Sequence, residues 1–146
     1  MQNTVRVIRE IKAPAAWVWE IISLAGGVDQ WMPSVEDCRL EGRGVGAHRL
    51  CKTHLGWVRE VIEVIEHTER RFEYSVSGQG LLPFKYFLGT MQVVDIDGEC
   101  SLVIWRGQFE LVAGEVEDVR RLVRGLFHSG IEGLEKYWSE QVRAVA

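Results

Sequence analysis

Apolar positions along this chain change rhythm near residue 115. Downstream, Val116, Val119, Leu122, Val123, Leu126, Phe127, Ile131, Leu134, Tyr137 and Trp138 recur at i, i+3, i+4, i+7 spacing. That spacing predicts one amphipathic helix from Glu115 to about Arg143. Upstream, apolar and polar residues alternate in short runs. These predict strands over Thr4 to Ile11, Val35 to Leu40, Val45 to Thr53, Trp57 to Ile65, Arg71 to Ser77, Phe84 to Ile96 and Cys100 to Leu111. Turn residues punctuate the runs, among them Glu41-Gly42-Arg43-Gly44, His54-Leu55-Gly56 and the hairpin signal Asp97-Gly98. After the first strand, Pro14 suits the first turn of a helix carrying Trp17, Val18, Ile21 and Ile22 to about Ser23. Gly26-Gly27 ends that helix, and Val28 to Met32 predicts a further helical turn before Pro33.

Consecutive strands joined by short turns pair antiparallel. The apolar face of the last helix needs a cover, and a sheet is the available partner. The expected fold is α+β, a helix-grip: a seven-stranded curved antiparallel sheet wrapped around a long C-terminal helix, with two short helices after the first strand. One domain is expected over residues 1–146. Gly130 falls on the apolar face of the long helix, between Leu126 and Leu134, with Gly133 beside it. A glycine inside a helix costs about 1 kcal/mol relative to alanine. Either the sheet approaches closely there, or the helix leaves room for a bound molecule.

Composition narrows the partners. With 47% apolar residues in 146, the chain can bury a real core. A net charge of -4 argues against nucleic acid. Arg120, Arg121 and Arg124 read as a solvated helix face. The first ten residues lack a signal-peptide core and no segment approaches a membrane span. A cytoplasmic location without membrane insertion is therefore expected. Cys38, Cys51 and Cys100 are widely spaced, as reduced and mostly buried thiols are. His48, His54, His67 and His128 lack metal-type spacing, and there is no phosphate loop, dinucleotide fingerprint or nucleophile elbow. No metal and no cofactor are expected.

Several short motifs, in order, resemble the START-like, birch-pollen-allergen-like superfamily (SRPBCC). Ile11-Lys-Ala-Pro-Ala-Ala-Trp-Val-Trp19 is similar to its I-x-A-P-x-x-x-V-W opening, and Trp31-x-Pro33 follows at the expected place. Gly44-Val-Gly-Ala-His-Arg49 resembles G-x-G-x-x-R, and Arg59-Glu60-Val61 looks like the following strand. Phe84-Lys-Tyr86 and Trp105-x-Gly-x-Phe109 resemble the last two strands. The nearest branches are the polyketide cyclase/dehydrase-like and abscisic acid receptor-like proteins. The resemblance implies the helix-grip fold and, in most relatives, an apolar or lipid ligand held between helix and sheet. It also favours Glu60 facing inward. The His-Arg-Leu gate of the plant receptors is absent, so their phosphatase regulation is not expected here.

The candidate chemistry follows from strand parity. Glu60 shares a face with Val58 and Ile62, and Arg49 on the preceding strand shares one with Cys51 and Thr53. Glu60 and Arg49 either pair inside or sit at a solvated rim; a one-residue slip in register decides which. Tyr74, Tyr86, Trp105 and Phe109 offer ring surface, and Tyr74 and Trp105 fit a purely structural role equally well. Leu81 and Leu82, in the glycine-flanked loop from Ser77 to Pro83, read as a lid, as does the Thr53 to Trp57 turn. The expected ligand-binding set is Arg49, Val58, Glu60, Ile62, Tyr74, Leu82, Tyr86, Trp105, Phe109, Leu126 and Gly130.

The leading expectation is binding, with transport or sequestration, of a small hydrophobic or amphipathic molecule such as a lipid or polyketide, in a hydrophobic cavity between the sheet and the last helix. A polyketide aromatase/cyclase or dehydratase using Glu60 as base is the alternative, and an adjacent arginine would oppose that role. A third reading is an interaction protein with a filled interior. A homodimer is compatible with all three.

Overall fold

Seven strands form one sheet whose order follows from successive hairpins. They are β1 (Asn3–Ile11), β2 (Asp37–Glu41), β3 (His48–Thr53), β4 (Gly56–Glu66), β5 (Arg71–Ser77), β6 (Phe84–Asp95) and β7 (Ser101–Leu111). The computed structural model describes residues 2–79 and 82–145. The strands lie in the order β1-β7-β6-β5-β4-β3-β2, and every neighbouring pair is antiparallel. β1 closes onto β7 from Asn3 opposite Phe109 to Ile11 opposite Ser101. Helix α1 (Ala15–Ser23) and a 3-10 turn (Val28–Gln30) therefore carry the chain from one edge of the sheet to the other. Helix α2 (Val116–Val145) follows β7. This is the helix-grip architecture that the alternation and the long helical stripe predict.

Two sequence expectations shift for local reasons. The strand expected from Val45 begins only at His48. Gly44 and Gly46 have φ of 62° and 91°, and the Ala47 N–H donates to the Gly44 carbonyl at 3.1 Å, so the chain is still turning there. On α2 the buried stripe is narrower than the apolar one. Val119, Val123, Phe127, Gly130, Ile131 and Leu134 are buried, whereas Leu122 is 60% exposed and Leu126 is 36% exposed.

Alternation places one face of each strand in the core. Val5, Val7 and Ile11 of β1, Phe87, Met91 and Val93 of β6, and Val103, Trp105 and Phe109 of β7 are buried. Each large apolar side chain removed from water contributes about 1.5–3 kcal/mol. Polar ties fix α2 to the sheet edge. The Arg9 guanidinium donates to Glu132 at 2.6 Å, and the Lys12 N–H donates to the Glu135 carboxylate at 2.6 Å. Trp17 of α1 packs against the rings of Tyr137 and Trp138.

The helix glycines permit close approach. A Cβ on Gly130 would meet the Met32 sulfur and the Trp105 ring, each at 2.6 Å. One on Gly133 would run into the Trp31 carbonyl oxygen. Of the two readings of Gly130, close approach is the one the packing bears out. The space at that level is filled by Met32, Trp105 and Phe127, whose ring lies stacked on Trp105 with centroids 4.4 Å apart.

Candidate functional site

Arg49 and Glu60 are directly opposed on β3 and β4. Register puts both side chains on the inner face beside Cys51, Val58 and Ile62. The Arg49 Nε donates to Glu60 Oε1 at 2.6 Å, with side-chain exposures of 7% and 14%. The open question of pair or rim is thus resolved as an interior pair. Arg49 Nη1 also donates to the Ala25 carbonyl at 2.9 Å. Ala25 is a buried residue at φ 64°, just past the end of α1. A left-handed alanine is strained. The guanidinium satisfies the carbonyl that this turn directs inward.

Aromatic rings cover the pair. The Arg49 guanidinium carbon lies 5.0 Å from the Tyr74 ring centre and 5.5 Å from that of Phe72. Tyr74 occupies space that Gly89 frees on β6: a Cβ there would clash with the tyrosine ring and hydroxyl. The Trp105 Nε1–H donates to the Tyr74 hydroxyl at 3.1 Å. Trp105 and Phe127 then continue the layer up to α2, with Phe87, Phe84 and Phe109 alongside.

Electrostatics favour the charged pair. Burial pulls the Arg49 guanidinium down, but the Glu60 charge and hydrogen bond, with Cys51 and Tyr74, outweigh it and hold its proton more firmly. Burial, followed by the Glu60 charge, pushes the Tyr74 hydroxyl up, so it stays a neutral donor. Some valences remain unspent. Among the described residues, Glu60 Oε2 and Arg49 Nη2 make no hydrogen bond, and the Tyr74 hydroxyl accepts from Trp105 without donating. The site therefore offers an acceptor, a cationic donor and a neutral donor in an otherwise apolar layer.

Of the other expected residues, Val58, Ile62, Trp105, Phe109 and Gly130 lie in the buried layer. Leu82 is half-buried against the core, while Leu81 lies outside the described residues. Leu126 sits at the rim. Tyr86 is a correction. A bulge between Phe84 and Tyr86 lets Phe84 join Phe87 inside, and Tyr86 points outward, 39% exposed, near Glu63 and Glu73. Sequence reasoning missed Cys38, opposite Cys51, and Gly89 beneath Tyr74. Counting register outward from the Arg49–Glu60 pair would have found the first. Two clefts of about 410 and 270 Å³ lie along the second half of α2, one at Lys12 and Glu135, the other at Trp31 and Tyr137; neither reaches the pair. Among the described residues no group of side chains could hold a metal ion, and no helix is long and apolar enough to cross a membrane.

The sequence profile of the family described as polyketide cyclase / dehydrase and lipid transport matches residues 2–138. The chain belongs to that family. Within it, this polyketide cyclase/dehydrase-type chain is 25% identical to an MLP-like protein 423 of Arabidopsis thaliana over 157 aligned positions, covering 99% of each. It superposes on a putative uncharacterized protein from Bacillus thuringiensis with a TM-score of 0.83 at 27% identity, covering 93% of this chain and 98% of that one. Norcoclaurine synthase from Thalictrum flavum, solved with dopamine and hydroxybenzaldehyde, superposes with a TM-score of 0.78 at 17% identity, covering 96% and 88%. At that identity the likeness is one of fold. Membership fits the START-like order of elements and a ligand-binding role for the family.

Proposed function

We propose that this chain binds a small hydrophobic or amphipathic molecule, of the lipid or polyketide kind, between α2 and the sheet. The polar end of the ligand meets Arg49, Glu60 and Tyr74. Its apolar body replaces ring contacts made by Trp105, Phe109 and Phe127, with Val58, Ile62 and Leu82 around it. The observation that carries this reading is the buried Arg49–Glu60 pair, whose Nη2 and Oε2 are unspent beside a tyrosine hydroxyl that has no acceptor among the described residues. A core built for stability alone does as well with apolar residues of equal volume. The rings fill the layer, so binding requires them to part.

A cyclase or dehydratase activity ranks second. Glu60 is held by an arginine at 2.6 Å, which favours an anchoring carboxylate over a proton-abstracting one. The test is native mass spectrometry of protein purified from cells, with thermal-shift titration against fatty acids and phenolic polyketides. A copurified organic molecule, or a rise in melting temperature lost in Arg49→Met, is the expected result. A bare mass and a flat panel would overturn the reading.

A further inference from the structure

Cys38 and Cys51 are directly opposed on β2 and β3. Cys51 is buried at 4% exposure, and Cys38 is half-buried against the same core. Opposed residues of an antiparallel pair lie about 4.5–5.5 Å apart at Cα, inside the roughly 4.4–6.8 Å that a disulfide spans. β2 is an edge strand, so a small oxidant reaches Cys38 first. Cys51 sits deeper, its sulfur 3.7 Å from Glu60 Oε1. We propose that Cys38 and Cys51 form a peroxide-oxidisable dithiol in the wall of the Arg49–Glu60 site, closing to an intrachain disulfide. This rests on the β2–β3 geometry and stands whether or not the ligand reading does.

The chemistry has an attacking and a resolving thiol. A hydrogen bond from Cys51, with the Val28 backbone and the Arg49 charge, outweighs burial and lowers the Cys38 thiol to about 6. The hydrogen bond with Cys38, then burial, pushes Cys51 the other way, so it keeps its proton. The Cys38 thiolate attacks one oxygen of hydrogen peroxide. The O–O bond breaks, hydroxide leaves and takes a proton from solvent, and Cys38 becomes a sulfenic acid. With Cys38 now a neutral sulfenic acid, Cys51 gives up its proton and its thiolate sulfur attacks the sulfenic sulfur. The S–O bond breaks, the thiol proton joins the departing hydroxide as water, and the disulfide forms. Two thiols are oxidised by one peroxide, which is reduced to two waters. Closure ties the edge strand to its neighbour beside Glu60.

The test is peptide mapping of reduced full-length protein after hydrogen peroxide at neutral pH and trapping with N-ethylmaleimide. The expected product is a linked Cys38–Cys51 peptide pair, lighter by two hydrogens, with Cys100 still labelled by maleimide. The iodoacetamide rate at Cys38 levels off above about pH 7, while that at Cys100, whose thiol burial pushes up from its ordinary value, is still rising at the alkaline end of the profile. In Cys51→Ser, Cys38 runs on to sulfinic acid. The wild-type map and pH profile decide the matter even if that variant does not fold. Sulfinic acid on Cys38 in the wild type, a disulfide through Cys100, or parallel pH profiles for the two cysteines would overturn the proposal.

Discussion

Replacing Arg49 with methionine removes two bonds at once: the one to Glu60 at 2.6 Å and the one to the Ala25 carbonyl at 2.9 Å. Hydrogen bonds involving a charged group contribute about 1.5–3 kcal/mol each, so roughly 3–6 kcal/mol is lost before compensation. Methionine recovers part by burying an apolar chain of similar length. Glu60, only 14% exposed at its side chain, is left without its counter-ion. The net cost is expected at about 3–5 kcal/mol, the usual penalty for breaking a buried pair. In a chain of this size that lowers the melting temperature by about 10–15 °C. Glu60→Leu should cost a similar amount, because it strands the guanidinium. The double variant Arg49→Met/Glu60→Leu strands neither charge and leaves only the Ala25 carbonyl without its donor, so it should cost about 1–3 kcal/mol, less than either single change. Urea unfolding of all four proteins, at a constant slope, gives the coupling directly. If each single change costs less than about 1 kcal/mol, or the double change costs the sum of the singles, the pair behaves as a solvated rim contact and the site loses its foundation.

The glycines and cysteines give further tests. Gly89→Ala forces a methyl group into the Tyr74 ring and should cost about 1–3 kcal/mol. It should also shift the Trp105 indole N–H resonance; neutral stability would refute the fit. Gly125→Ala on α2 meets nothing within 4 Å and should stabilise by about 0.4–1 kcal/mol in the same unfolding assay. From the lowered Cys38 value of about 6 up to its ordinary 9.0, the native chain lacks a proton that the unfolded chain holds there. Stability from this group therefore rises with pH across that window and is lost as pH falls through about 6. Cys51, raised above 9.0, works oppositely at higher pH, where only the unfolded chain releases its proton. The melting temperature of wild type minus Cys38→Ser should climb from about pH 6 to pH 9; a flat difference would contradict this.

Much of the fold was legible because its signals are periodic. The stripe on α2 and the alternation of β1, β5 and β7 each bury a continuous face, so pattern and packing agree. The Asp97-Gly98 turn fixed the β6–β7 hairpin for the same reason. Pattern failed where the chain breaks its own period. The bulge before Tyr86 reverses the parity of one end of β6, and local composition carries no mark of it. Gly44 and Gly46 delay β3, although Val45 is β-branched. Glu60 and Arg49 were identifiable as opposed residues, but their burial depended on the turn at Ala25, where an alanine adopts a conformation that sequence would assign to glycine. The role of Gly130 was undecided because a helix glycine reads the same whether it admits a ligand or, as here, Trp105 and Met32.

Binding at the Arg49–Glu60 floor is tested most directly by following the Trp105 indole N–H in ¹⁵N-labelled protein titrated with a medium-chain fatty acid and with a phenolic polyketide. Trp105 touches Tyr74 through its nitrogen and Phe127 through its face, so a molecule that parts the ring layer must move this resonance. The expected result is a saturable shift in wild type that disappears in the folded Arg49→Met/Glu60→Leu variant. A resonance unmoved by either ligand class, or moved equally in both proteins, would contradict binding at this pair.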